Sequence, residues 1–151
     1  MQKKEFKNMF KEIVLESGFR FEFGGYYKQT NECIIVIDLQ KSNYGNYYQI
    51  MLRFFIQGIF GKTYKLDKFL VKNDTGDVFR GAPNEYNRIL DLDNEIDDQF
   101  RASKLKELFT QFIIPIVKIG ERRDGLYKLG EAGDVYLLPA VKQELEKMKG
   151  N

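Results

Sequence analysis

Two segments with alternating apolar residues, separated by only four residues, constrain the fold of this chain more than any other feature of its sequence. They cover residues 33–42 and 47–57, and the intervening residues 43–46 are rich in Asn and Gly, which favour turns. Each segment has the two-residue period of a β-strand. The pattern predicts an antiparallel pair in which Ser42 lies opposite Tyr47.

This register gives the strand pair one wholly apolar face, which we call the first face. The facing pairs are Leu39 with Ile50, Ile37 with Leu52, Ile35 with Phe54, and Cys33 with Ile56. We expect the main core to form here against helices, with Cys33 as a buried packing residue. The predicted core residues are Phe21, Ile35, Ile37, Leu52 and Phe54.

Further strands are predicted on both sides of this pair. Residues 19–23 alternate aromatic and charged side chains, and Gly24-Gly25 favours a two-residue hairpin turn into residues 26–30. Residues 68–72 and 77–81 flank a turn rich in Asn, Asp and Gly, and they suggest one more hairpin. The sequence therefore predicts an antiparallel sheet of four to six strands.

Helices are predicted towards both ends of the chain. Residues 4–16 carry apolar residues at helical spacing, and Gly18 suits a left-handed C-terminal cap. A long amphipathic helix begins near Phe100 and is expected to kink or end at Pro115, and Pro139 suits the start of the last helix.

The elements together predict an α+β fold. Residues 82–92 show no apolar period and are interpreted as a loop, and residues 121–133 are polar, contain three glycines and are interpreted as a connector. A length of 151 residues fits a single domain covering residues 1–151. The predicted architecture is a two-layer sandwich, in which N-terminal and C-terminal helices pack on one face of the sheet.

Composition limits the partners and the compartment that we expect. The 24 basic and 22 acidic residues are interspersed, which argues against a nucleic-acid partner. The longest apolar stretches are far shorter than the roughly 20 residues of a membrane span, so no membrane association is expected. A single cysteine and the lack of a charged-then-apolar leader predict a cytoplasmic protein.

The chain contains no histidine, which restricts its chemistry. Imidazole is the usual base near neutral pH and the commonest metal ligand. We therefore expect neither a metal nor another cofactor. Residues 91–98 are acidic like the start of a calcium loop, but Ile96 replaces the required glycine, and the run is interpreted as the start of a helix.

The opposite side of the strand pair, which we call the second face, mixes polar and large apolar residues. The predicted register places Asp38 opposite Met51, Gln40 opposite Gln49, and Val36 opposite Arg53, with Ile34, Phe55 and Tyr27 beside them. Two explanations stay open. The C-terminal segment or a dimer partner covers this face, or the face is a binding surface.

The sequence also resembles a known family. The resemblance rests on Ser17-Gly18-Phe19 after the first helix, on Leu39-Gln40-Lys41-Ser42 at the end of a strand, and on Asp124-Gly125-Leu126-Tyr127. These motifs are similar to the bacterial domain-of-unknown-function 4304 family. The resemblance implies a small cytosolic α+β protein and brings no activity or cofactor. It makes Gln40 and Ser42 the first candidates for binding.

The resulting hypothesis is a noncatalytic binding or interaction module, of an immunity type or regulatory, that uses the second face. Its partner would be a protein, a peptide or a small molecule. The candidate binding residues are Asp38, Gln40, Ser42, Gln49, Arg53 and Tyr27. One alternative is a small enzyme that uses Asp38 and Arg53, which are expected to be neighbours on adjacent strands. The other is a structural homodimer.

Overall fold

The computed structural model describes residues 1–149 of the chain. Within them, five β-strands form one antiparallel sheet in the order β1-β2-β3-β4-β5, so each strand lies beside its neighbour in sequence. The strands are β1 (Arg20–Glu22), β2 (Gly25–Gln29), β3 (Cys33–Lys41), β4 (Tyr48–Ile56) and β5 (Val78–Gly81).

Helices precede and follow the sheet, and one short helix, α2, lies between its last two strands. They are α1 (Lys3–Glu16), α2 (Lys68–Lys72), α3 (Asn87–Leu90), α4 (Asp98–Leu108), α5 (Ile114–Gly120), α6 (Arg123–Ala132) and α7 (Pro139–Lys149). Ile59–Gly61 and Asn84–Tyr86 form 3₁₀ turns, and Phe109–Ile113 forms a π-helical turn between α4 and α5. The predicted α+β fold is confirmed.

The register of β3 and β4 is the one that their alternation predicts. Leu39 lies opposite Ile50, and Gln40 lies opposite Gln49. The Ser42 backbone N–H donates to the Tyr47 carbonyl at 2.9 Å, which closes the pair before the turn. A slip of one residue would move every apolar side chain of β3 to the second face, so burial of the first face fixes the register.

The first face and the helices enclose the main core, as predicted. Ile35, Ile37, Leu52 and Phe54 are buried in it, and Cys33, the first residue of β3, is buried as well. Aromatic rings connect the two layers. The ring centroid of Phe10 in α1 lies 5.8 Å from that of Tyr26 in β2 and 6.0 Å from that of Phe109 in the π-helical turn.

Phe21 was predicted to lie in this core, and that prediction is wrong. Its side chain is 50% exposed, because β1 is an edge strand of three residues. The predicted hairpin is present, but Phe23 and Gly24 form its turn, where Gly24 and Gly25 were expected. Both turn residues have positive φ angles, 59° and 80°, which is the geometry of a type I′ turn.

Three other predicted segments differ from the structure. Residues 68–72 were predicted as a strand, but they form α2, so the last hairpin is absent and β5 pairs with β4 instead. Residues 82–92, expected to be a loop, contain a 3₁₀ turn and α3. Residues 121–133, expected to be a connector, contain the ten-residue helix α6.

The long helix does not end at Pro115. It passes into the π-helical turn Phe109–Ile113, and Pro115 is the second residue of α5. A proline lacks the N–H that a continuous helix requires, but it is tolerated in a first turn. Pro139 is the first residue of α7, as predicted.

The burial of Cys33 predicts slow chemical modification. Burial, with a smaller contribution from the Glu32 carboxylate, raises the pKa of the thiol from 9.0 to about 12. At pH 8 this lowers the thiolate fraction about 1,000-fold relative to the unfolded chain. We expect N-ethylmaleimide to label the native protein at least about 100-fold more slowly than the urea-unfolded protein. Equal rates in the two states would contradict this placement of Cys33.

Candidate functional site

The predicted second face exists, and the sheet brings its candidate residues together. Asp38 lies opposite Met51, Val36 lies opposite Arg53, and Tyr27 of β2 lies opposite Val36. Paired residues share a face of an antiparallel sheet. The register therefore places these side chains on the same side as Gln40 and Gln49.

Residues 64–74, which we call the strap, cover half of this face. Leu70 and Val71 of α2 point towards the sheet, where they form a second apolar cluster with four sheet residues, and Tyr64 and Leu66 pack against it. The buried sheet residues are Tyr27, Ile34, Val36 and Phe55. Tyr27 is therefore a packing residue, with 5% of its surface exposed, and it is not available to a ligand.

Arg53 fastens the strap to the sheet. Its Nε donates to Asp38 Oδ2 at 2.8 Å. Its two terminal nitrogens donate to the backbone carbonyls of Leu70, Val71 and Asp74, at the C-terminal end of α2. Arginine side chains are suited to this role, because the last carbonyls of a helix have no partner within the helix.

This geometry bears on the alternative of an enzyme with Asp38 and Arg53. Arg53 is buried, and its guanidinium is used by the strap carbonyls and the Asp38 carboxylate. The Asp38 side chain is 25% exposed and is oriented by the guanidinium. The pair is thus arranged as a structural ion pair, in which removal of one partner leaves several buried polar groups unpaired.

A second set of hydrogen bonds holds the start of the strap. The Tyr64 hydroxyl donates to the Asp77 carboxylate at 2.8 Å, and the Ile56 backbone N–H donates to the same carboxylate. Gln57 binds the backbone of Tyr64 through both its carboxamide oxygen and nitrogen. Burial raises the pKa of Asp77 despite these donors, and burial together with the Asp77 contact raises the pKa of Tyr64.

The strap leaves the other end of the second face open. Gln40 and Gln49 are exposed there, and Asp38 and Met51 are half-buried beside them. Ser42 lies near this end, but its hydroxyl accepts a hydrogen bond from the Tyr44 backbone N–H at 3.0 Å. Ser42 therefore stabilises the turn between β3 and β4.

A cavity of about 250 Å³ adjoins the open end, where β5 stops and β4 continues. Four of its lining residues have polar side chains: Gln49, Asn84, Asn87 and Arg80. Met51, Gly81 and Ala82 are among the other lining residues. Gln49 lies on the second face, whereas Arg80 pairs with Leu52 and so extends from the first face. The cavity therefore lies at the edge of β4, next to the open end of the second face.

Arg80 is held in place at the wall of this cavity. Its Nε donates to the Asp134 carbonyl and its Nη1 to the Gly81 carbonyl, both at 2.9 Å. Its guanidinium lies over the Phe112 ring, 5.1 Å from the ring centroid. A guanidinium fixed in this way offers its remaining donors at low cost in side-chain entropy.

Sequence reasoning missed Asn84, Asn87 and Arg80. The first two lie in the segment that was interpreted as a loop, which forms a 3₁₀ turn followed by α3. Pro83 directly before the turn is the one signal of a helical start in the sequence. Arg80 was predicted to lie on a strand. The position of its guanidinium, however, is set by contacts with the distant residues Phe112 and Asp134, which the local sequence does not show.

A larger cavity of about 530 Å³ lies at the opposite end of the sheet. It is lined by Gln29, Thr30, Asn31, Gln57, Gly58, Thr63 and Arg123. Arg123 donates from its Nε to the Gln57 carbonyl, and its backbone N–H donates to the Glu32 carboxylate. Arg123 is thus partly engaged within the fold, and none of the predicted site residues lies there.

Within residues 1–149, no cluster of three or more acidic, cysteine or histidine side chains has the geometry to hold a metal ion. Across the same residues, no helix has the length and apolar character needed to cross a membrane. No family model, curated protein or solved structure matches this chain. The resemblance to the domain-of-unknown-function 4304 family stays a prediction.

Proposed function

We propose that this protein is a noncatalytic binding module that recognises an extended segment of a partner protein at the open end of the second face. The observation that carries the proposal is the cavity beside Gln49, which is lined also by Asn84, Asn87 and Arg80, whose guanidinium is held by two backbone carbonyls. The partner's backbone would lie along the sheet end, and one of its side chains would enter the cavity.

The size of the cavity favours a single side chain over a larger molecule. Its volume of about 250 Å³ is below the range of roughly 300–1,000 Å³ that is usual for small-molecule sites. The exposed carboxamides of Gln40 and Gln49 lie opposite each other on the adjoining face. Each carboxamide has two donors and an acceptor, which matches the alternating N–H and C=O groups of an extended peptide.

The chemistry of the lining favours an acidic side chain in the cavity. A guanidinium and carboxamide N–H groups all donate to a carboxylate, and hydrogen bonds to charged groups are stronger than those between neutral groups. Phe79 on β5 adds an apolar contact, because it faces the same side as Arg53 and is 65% exposed. The proposed ligand is therefore an extended segment with Asp or Glu next to an apolar residue.

Blocked amino acids provide a direct test. We expect N-acetyl-glutamate N-methylamide to shift the NMR signals of the side-chain amide groups of Gln49, Asn84 and Asn87 in a saturable way. A dissociation constant on the order of 1–10 mM is expected for so small a probe. The uncharged glutamine analogue should bind at least about fivefold more weakly, because it loses the charge-assisted contact with Arg80.

Two exposed asparagines supply a matched pair of variants for this titration. Asn87→Ala should abolish the shifts of Gln49 and Asn84, and Asn31→Ala in the other cavity should leave them unchanged. Absence of saturable shifts up to about 50 mM probe, or equal loss in both variants, would contradict the proposal.

A further inference from the structure

Strand β1 is an open edge of the sheet, and its residues are unusually exposed. Arg20, Phe21 and Glu22 are all exposed, and Phe21 is 50% exposed although it faces the helix side of the sheet. In the sheet order β1 has a single neighbour, β2. An exposed strand edge is a template for pairing with another chain.

The hairpin geometry shows which backbone groups of β1 point outward. Glu22 lies opposite Gly25 across the two-residue turn, and such a closing pair exchanges hydrogen bonds within the hairpin. Hydrogen-bonding directions alternate along a strand, so Arg20 also bonds inward to Tyr27. The N–H and C=O groups of Phe21 therefore point away from β2.

We propose that β1 pairs in an antiparallel manner with β1 of a second copy of this chain, about a two-fold axis at Phe21. The pairing joins two five-stranded sheets into one sheet of ten strands. The Phe21 N–H of each copy donates to the Phe21 carbonyl of the other. This inference concerns a different surface from the proposed binding site and does not depend on it.

Charge complementarity selects this register over the others. Paired residues must share a face, so a two-fold axis through this strand can pass only through Arg20, Phe21 or Glu22. An axis at Arg20 places two arginines opposite each other, and an axis at Glu22 places two glutamates opposite each other. Only the axis at Phe21 places each Arg20 opposite a Glu22 of the second copy, on both sides of the axis.

The surroundings of Phe21 fit the same register. Its ring packs against Tyr26 with 5.0 Å between centroids and carries Lys11 Nζ 5.5 Å from its centroid. Leu15 lies one helical turn after Lys11 on α1 and is 41% exposed. In the dimer the two Phe21 rings meet beside these α1 residues, and the exposed apolar surface of each copy is covered by the other.

The contact area of so short a strand is smaller than the roughly 1,200–2,000 Å² of standard interfaces, so the expected dissociation constant is on the order of 10–500 μM. Sedimentation equilibrium of the full chain, from about 5 μM to 1 mM, covers this range. Arg20→Glu and Glu22→Arg should each weaken dimerisation at least tenfold, because each places like charges opposite each other. The double variant, Arg20→Glu with Glu22→Arg, restores the opposite pairs and should recover the parent constant within about threefold.

The exposed ion pair of Arg122 with Asp124 offers a matched control, because Arg122→Glu changes the net charge by the same amount away from β1. It should leave dimerisation unchanged, and circular dichroism should show that all variants are folded. A parent protein that stays monomeric at about 1 mM would overturn the proposal. The same holds if the double variant dimerises no better than the single variants, or if the single variants dimerise as the parent does.

Discussion

Replacing Arg53 by Met is expected to lower the free energy of unfolding by about 3–5 kcal/mol. The change removes the donor for the carbonyls of Leu70, Val71 and Asp74 and for the Asp38 carboxylate, while it keeps most of the apolar stem. Buried acceptors that lose a charged donor bear the cost of desolvation without compensation. Urea denaturation followed by circular dichroism measures this loss.

Asp38→Asn is the matched control for this prediction. The variant keeps a side-chain oxygen that can accept from Arg53 Nε, and the three strap carbonyls keep their donor. We expect a loss of about 1 kcal/mol or less, since the Asp38 side chain is partly solvated. A loss below about 1 kcal/mol in Arg53→Met would show that the strap is held by its apolar contacts alone.

A second measurement separates loosening of the strap from general destabilisation. Compared with the parent protein, Arg53→Met should accelerate deuterium exchange of the backbone amides of α2 more than that of β3, under conditions in which the protein is folded. The reason is that α2 has only five residues, and so short a helix depends on tertiary contacts. Uniform acceleration across α2 and β3 would indicate global unfolding without selective release of the strap.

The position of the candidate residues could be read from the sequence, but their accessibility could not. Alternation along β3 and β4 and the short turn between them place Gln40, Gln49, Asp38 and Arg53 on one face, as the register shows. Which of them a ligand can reach depends on the strap, whose helix was interpreted as a strand. The local signal for α2 is Asp67, which caps it by accepting from the Leu70 N–H at 2.9 Å.

Elsewhere in the fold, too, the sequence pattern of a segment does not show what the segment will pack against. Phe21 has the alternation of a core residue, but alternation does not reveal that its strand lies at the edge of the sheet. Residues 121–133 were interpreted as a connector because they contain Gly125, Gly130 and Gly133, which weaken a helix by about 1 kcal/mol each relative to Ala. Only the third ends the helix, with a φ of 81°.

The two glycines inside α6 are explained by close packing. A Cβ at Gly130 would lie 2.4 Å from the Leu137 side chain, and one at Gly125 would lie 1.7 Å from the Ile119 carbonyl oxygen. The first clash involves a side chain that can rotate. The second involves the backbone at the end of α5, which can move only if α5 and α6 separate.

Gly125→Ala is therefore expected to lower the free energy of unfolding by about 3 kcal/mol or more, although Ala favours helices more than Gly does. Gly133→Ala is the matched control, because a Cβ there has no atom within 4 Å and only the positive φ opposes the substitution. It should cost about 1 kcal/mol. Urea denaturation of both variants decides the point: a loss for Gly125→Ala no larger than that for Gly133→Ala would mean that α5 and α6 do not pack as closely as the structure shows.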